Sequence, residues 1–229
     1  MTVPDETVAP DETALIVVGM EIAERRAFAS ALEWPGWSRS GRDEGAAIAA
    51  LHAARERYAR IAAAAGLAAP GDAALEPIEH RPGTATTVFG APDVVFDRDR
   101  RPVDGREAAR LAALVRASWA ALDAVVAGAS PALRKGPRGG GRDRDAVVAH
   151  VIGSDVGYAR QIGLRTPAPD PTDRAAVGAL REAILEVLRR PSDGSPLAGR
   201  RWPPRYAARR IAWHALDHAW EIEERSPGP

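Results

Sequence analysis

The segment Arg201–Ser226 constrains this chain more than any other. From Arg205 to Glu224 nothing interrupts a helix. Pro203 and Pro204 suit its entry, because proline is tolerated in a first helical turn and not further in. A Ser-Pro-Gly-Pro sequence ends it. Twenty unbroken residues of this kind need neighbours to cover their apolar side, so the segment sets up a helical packing unit. His214 and His218 stand four apart and project from one face, one turn above the other. That spacing lets two imidazoles reach one metal ion, as in helical zinc sites. Glu221 and Arg225 continue the stripe, while Trp213, Leu216 and Trp220 lie on a different face and read as packing residues. A third histidine, His150, falls on another predicted helix, within AVVAHVIGSDVGYARQIG.

Three further stretches carry helical periodicity. Residues 104–128 place Leu111, Leu114, Val115, Trp119 and Leu122 on one side, with Gly128 as the end. Residues 145–162 give a second helix opened by Asp145 as N-cap, and Asp173 opens a third that ends before Pro191. Four amphipathic helices with these connections predict a four-helix bundle over 104–226.

The N-terminal part has a different pattern. Residues 1–12 are acidic, contain proline and are expected to be a flexible tail. Residues 13–32 read as a β-hairpin: TALIVVGMEIA, a polar ERR turn, then AFASAL. Turns at Pro35-Gly36 and Ser40-Gly41 flank a short extended piece. Asp43 is the expected N-cap of a helix running to about Ala64, with Ile48, Leu51, Ala54, Tyr58 and Ile61 at helical spacing and Gly66 closing it. Residues 13–66 thus form an α/β module, and the fold class is an α+β module followed by an all-α bundle. Residues 67–103 are a connector rich in Pro, Gly and Asp. Its short apolar pieces, Leu75–Ile78, Thr87–Phe89 and Val94–Phe96, are candidates for one or two strands. The domain boundary is expected here, with the bundle folding by itself.

Composition narrows the function. The 229 residues contain 31 basic and 31 acidic side chains, so there is no global charge argument for nucleic acid or an anionic membrane. No apolar run reads as a bilayer span and no basic-then-apolar leader is seen, so a cytoplasmic location is expected. With no cysteine, a protein thiolate is excluded both as nucleophile and as ligand, and any metal must be held by histidine and carboxylate.

The N-terminal order of strand, strand, an LxxPGxxxxGxDxxA turn and a helix resembles the HicB-like antitoxin fold. The matching residues are Leu32, Pro35, Gly36, Gly41, Asp43 and Ala46. The resemblance implies a module that packs or dimerises, so a homodimer is a candidate assembly. The DNA-binding segment such antitoxins carry is not seen, and no nucleic-acid partner is expected. The bundle resembles the DinB-like superfamily of metalloenzymes, nearest the mycothiol-dependent maleylpyruvate isomerase type. The resemblance rests on His150 in VAHVIG, His214 in AWHALD and His218 in LDHAWE. It implies that these three bind a divalent metal, zinc first and nickel second, leaving a position open. It further implies a low-molecular-weight thiol such as mycothiol as cosubstrate and an electrophile as substrate, in S-transfer or isomerisation. The rival readings are a non-catalytic metal- or ligand-binding sensor, and a toxin–antitoxin component through the N-terminal module.

Other residues surround these histidines. Ser154 and Gln161 share a face with His150, Tyr158 lies at its edge, and Gly153 and Gly157 leave room for a neighbour or a ligand. Glu221 and Asp217 are candidate acceptors for the far nitrogen of a ligating imidazole. Gly139–Gly141, flanked by Lys135, Arg138 and Arg142 just before a helix, form a candidate anion cradle. Arg205, Arg209 and Arg210 form a second basic cluster, and Arg205 and Arg209 join the first set as candidate donors to a bound thiol. His52 and His80 have no partner at ligand spacing and read as ordinary residues.

Overall fold

The structure is a computed structural model and describes residues 15–136 and 140–226. The expected tail at 1–12 and Arg138 lie outside the described residues.

The chain opens with strands β1 (Ile16–Ala23) and β2 (Arg26–Ala31), an antiparallel hairpin closed at Glu24-Arg25. Strand β3 (Ser38–Gly41) pairs antiparallel with β2. Between them the Trp34–Trp37 turn folds inward. Trp37 is fully buried, donates its indole N–H to Leu51 O at 2.9 Å and stacks on Tyr58 with ring centroids 5.2 Å apart. Tyr58 in turn donates to Pro35 O at 2.8 Å. Gly36 has φ +95°, and a Cβ there would stand 2.7 Å from Leu216 Cδ1, so only glycine lets this turn press against the last helix.

Asp43 caps α1 (Glu44–Ala53) by accepting from Ala46 N at 2.9 Å. The single helix expected to Ala64 is two: α1 ends at Ala54, where ψ is −2°, and α2 (Arg55–Ala64) restarts immediately. Of the apolar pieces in 67–103, the first belongs to strand β4 (Leu75–Pro82), parallel to β1, giving a mixed sheet of order β3-β2-β1-β4. The second lies in a short helix, α3 (Ala85–Phe89), capped by Thr84. The third, Val94–Phe96, is irregular, and Phe96 is buried in front of a 3-10 turn at Asp97–Arg100.

Four helices follow and pack together: α4 (Gly105–Gly128), α5 (Arg144–Gln161), α6 (Arg174–Leu188) and α7 (Pro204–Arg225). Asp104 and Asp173 cap α4 and α6 with their side chains. Helix α5 begins one residue before the expected cap: Asp143 holds the N-cap position and Asp145 lies in the first turn, where its charge favours the helix dipole. By length and composition α4 is apolar enough to cross a membrane. Here Leu111, Leu114, Val115, Trp119 and Leu122 are buried, and the helix packs against α7, α6 and α2.

Helix α7 is the axis of the molecule. Every residue from Tyr206 to Leu216 is buried. Trp213 meets Phe28 of β2 edge to face at 5.9 Å, and Trp220 lies under the guanidinium groups of Arg39 and Arg57, 5.0 and 4.7 Å from its ring. Arg209 is buried and pairs with the buried Asp99 at 2.6 Å while donating to Val94 O at 3.1 Å. One hydrophobic core runs from the sheet through α4 to α7.

Candidate metal centre

His214 and His218 project from α7 toward α5, which supplies His150. The ring centroids lie 5.1 Å apart for His150–His214, 5.0 Å for His150–His218 and 4.7 Å for His214–His218. One nitrogen from each ring lies within 4.8 Å of the other two. The Nε2 atoms of His150 and His214 are 3.3 Å apart. Two nitrogens at about 2.0–2.1 Å from a tetrahedral ion are separated by about 3.3–3.4 Å, so this pair already has the edge length of a metal site.

The third ring is oriented from behind. Glu221 Oε2 lies 2.7 Å from His218 Nδ1, which directs the Nδ1 proton to the carboxylate and leaves Nε2 as the lone-pair donor. That contact holds the Glu221 carboxyl below its usual range. The other Glu221 oxygen accepts from Arg225. Arg225 also donates to Arg134 O at 3.0 Å and Arg142 O at 2.8 Å, tying both of these residues to α7. Gly141 makes room for this: its φ is +117°, and a Cβ would stand 2.6 Å from Arg225 Nη2.

Electrostatics favour neutral imidazoles at His214 and His150. Burial pushes His214 well below its ordinary value, reinforced by the charges of His218, Arg210, His150 and Arg142. His150 is lowered by burial first, then by His218 and Arg142. Neutral rings are what a metal requires. The Nδ1 of His214 is buried without a hydrogen-bond partner among the described residues, so this ring lacks the outer acceptor that His218 has.

The approach to the histidines is open along α5. A Cβ added at Gly153 or Gly157 would meet nothing within 4 Å. Ser154 and Gln161 are partly exposed on the same side, and Tyr158 places its ring edge-on to His214 at 5.6 Å.

The remaining sequence candidates divide. Arg142 is exposed and its charge reaches two of the histidines. Lys135 pairs with Asp143 at 2.6 Å. Arg205 is held by Glu107 at 2.6 Å, and Arg209 is spent on Asp99 inside the fold, so neither stands at the histidines. Asp217 faces Arg39 at 3.7 Å rather than an imidazole. It helps line a small polar crevice of about 250 Å³ with Trp220, Glu221 and Arg225. His52 is exposed, and His80 Nε2 lies 3.0 Å from Glu44 Oε1; neither joins the cluster.

Two nearby charges are buried in a way the sequence did not show: Arg210, grouped there with Arg205 and Arg209 as a basic cluster, and Asp155, which was not singled out. Arg210 lies 9 % exposed one turn before His214, its guanidinium 4.8 Å from the Trp213 ring and 5.5 Å from the Tyr158 ring. Asp155, on the core side of α5, is pushed up to about 7 by burial, with Arg181 Nε 4.0 Å away. An i, i+4 stripe from Arg210 to His218 was the available signal for the first. The second had none beyond an acidic residue among apolar ones.

No protein family, curated protein or solved structure matches this chain. The fold and the three-histidine cluster are therefore the ground for any functional reading.

Proposed function

We propose that His150, His214 and His218 hold one divalent transition-metal ion, zinc before nickel, and that the loaded centre serves a thiol-dependent transferase or isomerase. The observation that carries the metal reading is the convergence of three imidazoles from two helices, with one tautomer held by Glu221 and a 3.3 Å Nε2–Nε2 edge. Such an ion supplies Lewis acidity and lowers the pKa of a water or thiol that reaches it.

The chain contributes the rest. Three neutral ligands leave the ion's charge uncompensated, which favours an anionic partner on the open side. The chain has no cysteine, so a sulfur nucleophile comes from a small molecule. Arg142, brought beside the histidines by the Arg225 tether, adds positive charge at the same mouth. Gly153 and Gly157 keep the α5 side free of bulk, and Tyr158 walls it. Asp217, Lys135, Arg205 and Arg209 have other partners and are not assigned to substrate.

The test is turnover of an electrophilic aromatic substrate by zinc-loaded protein with and without a low-molecular-weight thiol. Thiol-dependent turnover, abolished by chelator and by His218→Ala, supports the enzyme. Stoichiometric metal with no thiol binding and no chelator-sensitive turnover replaces it with a metal-binding, non-catalytic protein.

A further inference from the structure

Arg210 differs from the other inward-facing arginines. Arg209 is paired with Asp99, Arg205 with Glu107, Arg181 with Asp123 and Arg225 with Glu221. Arg210 is 9 % exposed, yet it makes no ion pair and no hydrogen bond among the described residues, and its Nη1 is fully enclosed. The Trp213 ring beneath it also has a buried N–H with no acceptor. A buried, always-charged group without a counter-ion is costly to keep. The faces of Tyr158 and Trp213 attract a guanidinium and fix its plane, but they accept no directed hydrogen bond and carry no net charge. Fold stability therefore gives no account of Arg210, while its location does. It lies one helical turn from His214, close enough for its charge to act on that ring, and beside the Tyr158 wall of the open approach.

We propose that Arg210 is the recognition residue for a carboxylate on the small molecule that occupies the histidine centre. A guanidinium presents its donors as a planar fork that matches a carboxylate, and Tyr158 and Trp202, with rings 5.2 Å apart and tilted by 42°, give the ligand an aromatic flank. The ligand class is thus a small carboxylic acid with an aromatic body. The assignment deepens the metal-centre reading and rests on it only for the identity of the neighbouring site. Arg210 recognises the ligand and takes no part in the bond changes.

The experiment is 19F NMR titration of 4-fluorobenzoate, with 4-fluorobenzamide as the uncharged control, into zinc-loaded wild type, Arg210→Gln and Arg210→Lys, with zinc content measured for each. Wild type should bind the acid. Arg210→Gln should lose about tenfold or more of that affinity while keeping its zinc and its weak binding of the amide. Arg210→Lys, a point charge without a fork, should fall between. Thermal melts add an independent readout: Arg210→Met should melt no lower than wild type, and Arg209→Met well below it. Equal acid binding by wild type and Arg210→Gln, or none by wild type, overturns the inference. So does an Arg210→Met variant that melts as low as Arg209→Met. Arg210-dependent acid binding in a protein that holds no zinc leaves the inference standing and removes the metal reading instead.

Discussion

Glu221 illustrates what one side chain contributes to the centre. Its carboxylate fixes the His218 tautomer from behind while Arg225 holds the carboxylate itself. Glu221→Gln keeps the shape and loses the charge, so metal affinity should fall about 10–100-fold with the fold unchanged, as read by competition with a chelating dye. Asp155 makes a second prediction at this scale. Its folded value of about 7 lies above its ordinary 3.8, so the native state holds a proton that the unfolded chain has released. The stability it contributes is complete below about pH 4 and is lost as pH rises through 7, at about 1.4 kcal/mol per pH unit across that window. Asp155→Asn should therefore raise the melting temperature at pH 8 and do so much less at pH 5. The histidine pair was legible in the sequence because ligand spacing on a helix is local, and Glu221 because it lies three residues from His218. The isolation of Arg210 and the burial of Asp155 were not, since both depend on which distant residues fail to face them.

At the scale of elements, the period of apolar residues located α4, α6 and α7 to within a residue or two, because each presents one continuous buried stripe. Strand β4 was only partly legible. It alternates half-buried and exposed residues, contains Pro77 and Pro82, and sits at the sheet edge where proline is tolerated, paired with a strand about sixty residues earlier. Such long-range pairing leaves no local mark beyond alternation. Thr87–Phe89 reads as strand-like by composition, yet the Thr84 cap makes it helical. The junction between α7 and the 3-10 turn at Asp97–Arg100 rests on Arg209–Asp99. Arg209→Met leaves Asp99 buried without its counter-ion and should cost about 3–5 kcal/mol in urea unfolding. The double variant Arg209→Met, Asp99→Leu should recover part of that loss, because no orphaned charge remains.

Considered whole, the molecule is organised by α7, which presents its histidines to α5 and packs its opposite side on the sheet and the Gly36 turn. That both halves of the chain share its surface follows from Trp213 on Phe28, Gly36 on Leu216 and Arg57 with Glu223 and Glu224. None of these contacts has a sequence signal, because each joins residues more than 160 positions apart. The shared core predicts that a fragment beginning at Asp104, which lacks Asp99 and the sheet, melts far below the intact chain by circular dichroism. A fragment that melts with the intact chain would make the bundle an independent domain.

The central claim, that the three histidines are a metal centre, is met most directly by native mass spectrometry and elemental analysis of freshly purified intact protein. The account predicts about one divalent transition-metal ion per chain, lost in His214→Ala and in the variant with His150, His214 and His218 all replaced by alanine, and released on acidification only below the ordinary histidine range because burial holds His150 and His214 neutral. Wild-type protein that takes up no stoichiometric ion, or a triple variant that carries the same metal content as wild type, would contradict it.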